Sequence, residues 1–210
     1  NNNHFQIAID RYEYYLQNKL NDDSNLKFFS LQVPLPDKDR AIELIENAWL
    51  ESFVVFRFYH RPTFIENLHK LYSLKPHEYD ETLIKFLPSL YSVMAVGSLF
   101  GIRNDGNAYQ NEKNIDEDDE GYRFFLAARN MIDLSKCTDI NSIQTIVMLF
   151  MFLQCSARLS TCYIYIGIAM RSALREGYHR FIPEGTPGYS LLDIEMRKRT
   201  FFTIYKMDIY

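Results

Sequence analysis

The sequence predicts an all-α protein built around a buried central helical hairpin. Three observations carry that expectation. The stretch 141–180 holds two helical segments, about Ser142–Gln154 and Thr161–Glu176. The first is apolar on every side from Ile146 to Leu153, the mark of an enclosed helix, yet it is far shorter than the roughly 20 residues needed to cross a bilayer. No segment shows strand-like alternation, and the remaining apolar residues recur at helical spacing.

Taken in order, residues 1–36 read as a first helix and a linker. Phe5, Ile9, Tyr12 and Leu16 fall on one helical face, and Asn21–Ser24, Pro34 and Pro36 break the run. Residues 37–210 form the main unit. Asp37 opens an amphipathic helix to about Phe56, with Ile42, Ile45, Ala48, Trp49, Phe53 and Phe56 as its apolar stripe. His60-Arg61-Pro62 interrupts it, and Thr63-Phe64-Ile65-Glu66 has the spacing of a capping box for a short helix to Leu74. A further helix runs from Asp80 or Pro88 to Phe100, with Pro88 opening or kinking it.

Residues 102–120 carry seven acids against two bases, net −5, and leave +1 for the rest of a chain whose net charge is −4. They are expected to be an exposed, mobile acidic loop; attraction of a basic partner is the functional alternative. Tyr122–Leu134 is another helix. Gly177 ends the hairpin. Residues 181–190 are a Pro/Gly loop, and Ser190 or Asp193 opens a last helix carrying Phe201, Ile204, Tyr205 and Asp208 on one face.

Bulk properties narrow the function. The 210 residues are 47% apolar, with 16 Phe and 15 Tyr, enough for a substantial core. The acidic balance argues against this chain gripping a phosphate backbone by itself. Cys137, Cys155 and Cys162 are odd in number and lack metal-ligand spacing, which with no signal peptide or glycosylation sequon fits a reducing compartment. No membrane association is expected. The chain opens on Asn-Asn-Asn and stops within a helix, as a fragment of a larger helical domain would.

Four stretches, in order, resemble the regulatory middle domain of fungal binuclear zinc-cluster transcription factors. They are Leu35-Pro36 and its helix leading to Phe58-Tyr59-His60-Arg61-Pro62-Thr63-Phe64; Phe124–Leu134; Ser142-Ile143-Gln144 through Gly167–Leu174 to Gly177-Tyr178-His179-Arg180; and Glu195–Asp208. Phe202 stands where that last motif usually has Trp. The six-cysteine DNA-reading module is absent, so the resemblance implies that zinc and DNA contact belong to a module outside this chain, and that no cofactor is bound here. It further implies a nuclear regulator of metabolic or drug-resistance genes, a homodimer in full length, with the transcription machinery or a co-regulator as partner. Some relatives bind a small apolar molecule, a lipid or xenobiotic, in this region.

Two sets of candidate residues stand out. Met148, Met151, Phe152, Tyr163, Tyr165 and Met170 are soft or aromatic groups of the hairpin that would line an adaptable ligand pocket; ordinary core packing is the simpler account of them. Arg171, Arg199 and Asp208 are expected to form an ionic cluster tying the last helix to the hairpin, because a carboxylate on an apolar face needs a partner. No catalytic and no metal site is expected. Two alternatives remain. Glu66-x-x-His69 and Glu176-x-x-His179, with Glu43 or Glu46, have the residue types of a ferritin-like di-iron enzyme, although Gly177 falls inside the second pair. A helical scaffold for protein assembly, sensing nothing, would share the same fold.

Overall fold

A computed structural model describes residues 33–52, 56–100, 120–156 and 159–209. The expected helix at 5–20, most of the linker and nearly all of the acidic stretch lie outside the described residues. Two units separate at residue 32, and the second, Val33–Tyr210, holds all the described residues. Among the described residues this unit is all-helical, as the sequence predicts. It contains α1 (Lys38–Asn47), a π-helical turn (Ala48–Ser52), α2 (Arg61–Ser73), a 3-10 turn (Pro76–Glu78), α3 (Glu81–Gly97), α4 (Glu120–Met131), α5 (Ile140–Cys155), α6 (Leu159–Arg175) and α7 (Leu191–Ile209).

The hairpin is α5–α6, and it starts and stops within two residues of the expected bounds. Asp139 caps α5 by accepting the Ser142 amide at 3.0 Å. From Ile143 to Leu153 every side chain of α5 is buried. Helix α6 ends in a Schellman turn: Gly177 has φ 72°, Tyr178 N–H donates to the Ala173 carbonyl at 2.9 Å, and Gly177 N–H donates to Leu174 at 3.1 Å.

Helix α3 is as central as α5. Asp80 caps it, accepting Leu83 N–H at 2.8 Å. Every residue from Phe86 to Gly97 is buried, and the helix packs on α1, α4 and α5. Pro88 lies inside it, neither opening nor ending it. The two central helices are joined by hydroxyls as well as by apolar side chains. Ser89 Oγ lies 3.0 Å from Thr145 Oγ1, and Thr145 donates to the Asn141 carbonyl at 2.7 Å. Small hydroxyl side chains bonded this way are buried without an unpaired group.

Two terminus expectations are corrected. The amphipathic helix expected to reach Phe56 is α-helical only to Asn47 and then widens into the π turn. The capping box at Thr63 does not form. The N-cap of α2 is His60, whose Nδ1 accepts the Thr63 amide at 3.4 Å and lies 2.7 Å from Thr63 Oγ1. Glu66 turns instead to Lys70, 2.8 Å away along the helix. With an imidazole as the cap, Arg61 and Pro62 become the first two helical residues, positions where a missing amide proton costs nothing.

Several buried or half-buried groups that hold their protons tightly set an alkaline limit to stability. Burial pushes the phenols of Tyr72 and Tyr178 up from 10 to about 12, with Arg197 pulling Tyr178 partly back, and pushes the Cys137 thiol up from 9 to about 12. The unfolded chain gives up these protons first. Stability is therefore fully present below about pH 9 and falls as pH rises toward 12. Urea midpoints at pH 8, 10 and 11 are expected to decrease in that order; a constant midpoint would show that these groups are not held neutral by the fold.

Candidate functional site

An open cleft of about 680 Å³ is lined by Glu46, Trp49, Leu50, Arg57, Tyr59, His60, Arg61 and Arg199. Its construction begins in the backbone. The π turn supplies Trp49 and Leu50, and such turns are rare and concentrate at functional sites. The extended segment before α2 supplies Arg57, Tyr59 and His60. Beneath them lies a ring cluster: Trp49 meets Phe64 edge-on at 4.9 Å, Tyr59 meets Phe64 at 5.5 Å, and Phe64 meets Phe86 of α3 at 4.8 Å. Phe58 is fully buried beside Tyr59, at 4.9 Å between ring centres.

Gln144 of α5 locks this wall. Its Nε2 donates to the Phe58 carbonyl at 2.5 Å and to Thr200 Oγ1 of α7 at 3.2 Å. One buried amide thus ties the hairpin, the segment before α2 and the last helix together. Removing it would break both of these buried links at once, and a buried hydrogen bond is expensive to leave unmade.

The expected ligand set does not converge on one surface. Met148, Met151, Phe152 and Tyr165 are buried, Met170 is half-buried, and Tyr163 is 69% exposed. Phe152 and Tyr165 belong to a packed stack, with Phe125 of α4 at 5.0 Å and 6.4 Å respectively. Tyr163 and Tyr165 are two positions apart on a helix, about 200° in azimuth, so they face opposite ways.

The expected ionic cluster does not assemble either. Arg171 and Asp208 are exposed, and Arg199 pairs with Glu195 on its own helix at 2.7 Å. Arg199 and Asp208 are nine positions apart on α7, about half a turn out of phase, so they lie on opposite faces. The residue that ties α7 to the hairpin is Arg197. Its guanidinium lies 4.0 Å from the Tyr178 ring centre and 5.3 Å from that of Tyr189, and Nη2 donates to the Glu176 carbonyl at 2.5 Å. Arg197→Ala is expected to cost about 2 kcal/mol, on the scale of a hydrogen bond from a charged donor. Asp208→Ala should change stability by less than about 0.5 kcal/mol. Chemical denaturation of both variants checks the pair, and equal losses would contradict the assignment.

The di-iron arrangement is not built. Glu66 and His69 lie on α2, Glu176 and His179 lie in the turn after α6, and Glu66 is paired with Lys70. Among the described residues no three His, Cys, Asp or Glu side chains come together as a metal site, and no helix is long and apolar enough to cross a membrane. The cleft itself escapes sequence reasoning because Arg199 joins it from some 140 positions away.

Residues 45–210 match the family model described as the fungal specific transcription factor domain. The chain is 49% identical over 180 residues to "Activator of stress genes 1" of Saccharomyces cerevisiae, covering 86% of this chain and 18% of that protein. It is 52% identical over 181 residues to "Activator of stress genes protein 1" of Candida albicans, covering 84% and 18%. A more distant relative, 27% identical over 184 residues, is "Zn(2)-C6 fungal-type transcription factor mpsB" of Macrophomina phaseolina, with 86% and 24% covered. The chain thus spans less than a quarter of the length of these relatives. No solved structure matches it.

Proposed function

The chain belongs to the fungal specific transcription factor domain family, and from that premise we propose that it is the non-catalytic regulatory domain of a nuclear zinc-cluster transcription factor. The observation that carries this is the coincidence of the family match, 45–210, with the packed helical unit, 33–210. In this reading a six-cysteine zinc module elsewhere in the polypeptide contacts DNA, and the full-length protein is a homodimer. The helical unit restrains or releases activation through the transcription machinery or a co-regulator. A small molecule that binds one arrangement better than the other would shift the balance between them. Stress genes are the target class that the names of two relatives support, and metabolic or drug-resistance genes are the wider class that the family resemblance implies.

The alternative role as a protein scaffold has one observation in its favour: Phe202, Tyr205 and Ile209 stand exposed along one side of the C-terminal half of α7. A reporter separates the two. Fused between a heterologous DNA-binding domain and an activation segment, the chain is expected to change reporter output severalfold relative to a linker of equal length. Output equal to that of the linker would overturn the regulatory reading.

A further inference from the structure

Building on that regulatory reading, we propose that the cleft between the π turn, the 57–61 segment and α7 binds a small amphipathic anion, a carboxylate or sulfonate on an aromatic body. The volume, about 680 Å³, falls within the range of small-molecule sites. The walls divide by chemistry. Trp49, Tyr59 and Leu50 offer ring and alkyl surface, and Leu50 is 68% exposed. Among the described residues Arg57, Arg61 and Arg199 supply guanidinium groups against the carboxylate of Glu46, so their lining is net +2 in a chain that is −4 overall. Such local inversion of sign attracts an anion to the cleft.

Among the described residues neither Arg57 nor Arg61 forms an ion pair. Arg199 uses Nε for Glu195, which leaves its terminal amino groups. His60 also lines the cleft, its ring held by Thr63, whose Oγ1 lies 2.7 Å from Nδ1. Guanidinium groups take planar oxyanions by paired hydrogen bonds, and an aromatic body stacks on the rings beside them. The walls are also held in place. The ring cluster through Phe64 and Phe86 backs Trp49 and Tyr59, and Gln144 fixes the backbone at Phe58. Little ordering is then required on binding.

The test is isothermal titration of the 210-residue chain with 1-naphthalenesulfonate and with its neutral analogue 1-naphthalenemethanol. Saturable one-to-one binding of the sulfonate is expected, with the alcohol at least about tenfold weaker, the scale of one charge-assisted contact. The double substitution R57Q/R61Q and, separately, Leu50→Glu should each weaken the sulfonate by about tenfold or more. These positions lie outside the core, so the thermal midpoint without ligand should stay unchanged. No saturable binding, equal binding of the alcohol, or equal binding by the variants would overturn the cleft assignment. The reporter measurement above needs no ligand, so loss of the cleft assignment and loss of the regulatory reading are told apart.

Discussion

Replacing Phe152 by alanine is expected to lower the unfolding free energy of the chain by about 3–5 kcal/mol, the range for deleting a buried aromatic ring. Phe152 lies on α5, one of the two central helices, and is 1% exposed. Its ring stacks on Phe125 of α4 at 5.0 Å, with an interplanar angle of 22°. Phe125 in turn stacks on Tyr122 at 5.9 Å and contacts Tyr165 of α6 at 6.4 Å. A void at 152 therefore opens among three helices, and neighbours packed at crystal-like density relax into it only in part. Urea denaturation is the check. A loss below about 1.5 kcal/mol, as for a volume-conserving swap, would mean that the site collapses freely and is not core.

Gly97→Ala is expected to cost about 3 kcal/mol, at the upper end of overpacking effects, through the opposite fault. A Cβ built on Gly97 would lie 1.8 Å from the carbonyl oxygen of Leu44 and 2.7 Å from its carbon. Both atoms are backbone, so no rotamer change relieves the clash, and α1 must move off α3. Helix α1 bears the π turn at its end, so the same substitution displaces Trp49 and Leu50 at the cleft. The checks are a lowered urea midpoint and changed tryptophan fluorescence, for which Trp49 is the sole reporter. An unchanged midpoint would contradict the close approach of α1 and α3.

These two positions show what is legible in the sequence. Position 152 can be placed in the core because eight apolar residues in a row leave a helix no solvent face. Gly97, with Gly101 four positions on, suggests close packing and then a helix stop. The sequence does not display what comes close, which is the carbonyl of Leu44. Helix α3 is legible as a helix but not as a second centre, because Ser89, Ser92 and Pro88 dilute its apolar pattern. Their cost is met by partners that the sequence does not display, such as Thr145 for Ser89.

The His60 cap escapes pattern reading because imidazole is uncommon in that role, and Thr63 three residues before Glu66 offers a more familiar pattern. The expected cluster of Arg171, Arg199 and Asp208 is open to correction from the sequence itself, since nine positions on a helix reverse the facing of a side chain. Arg197 cannot be singled out from Lys198 and Arg199 by pattern. It is set apart by Tyr178, which the turn at Gly177 presents beneath it.

A helical unit that controls transcriptional output and not DNA contact changes how much transcript each bound molecule yields. The quantity to measure is the ratio of transcript to promoter occupancy for the heterologous fusion, with the native unit and with Gly97→Ala at equal protein abundance. Unchanged occupancy and a severalfold change in transcript per bound molecule are expected when α1 is forced off α3. Transcript that follows occupancy one-for-one, or that is the same in both proteins, would contradict control of output by this unit.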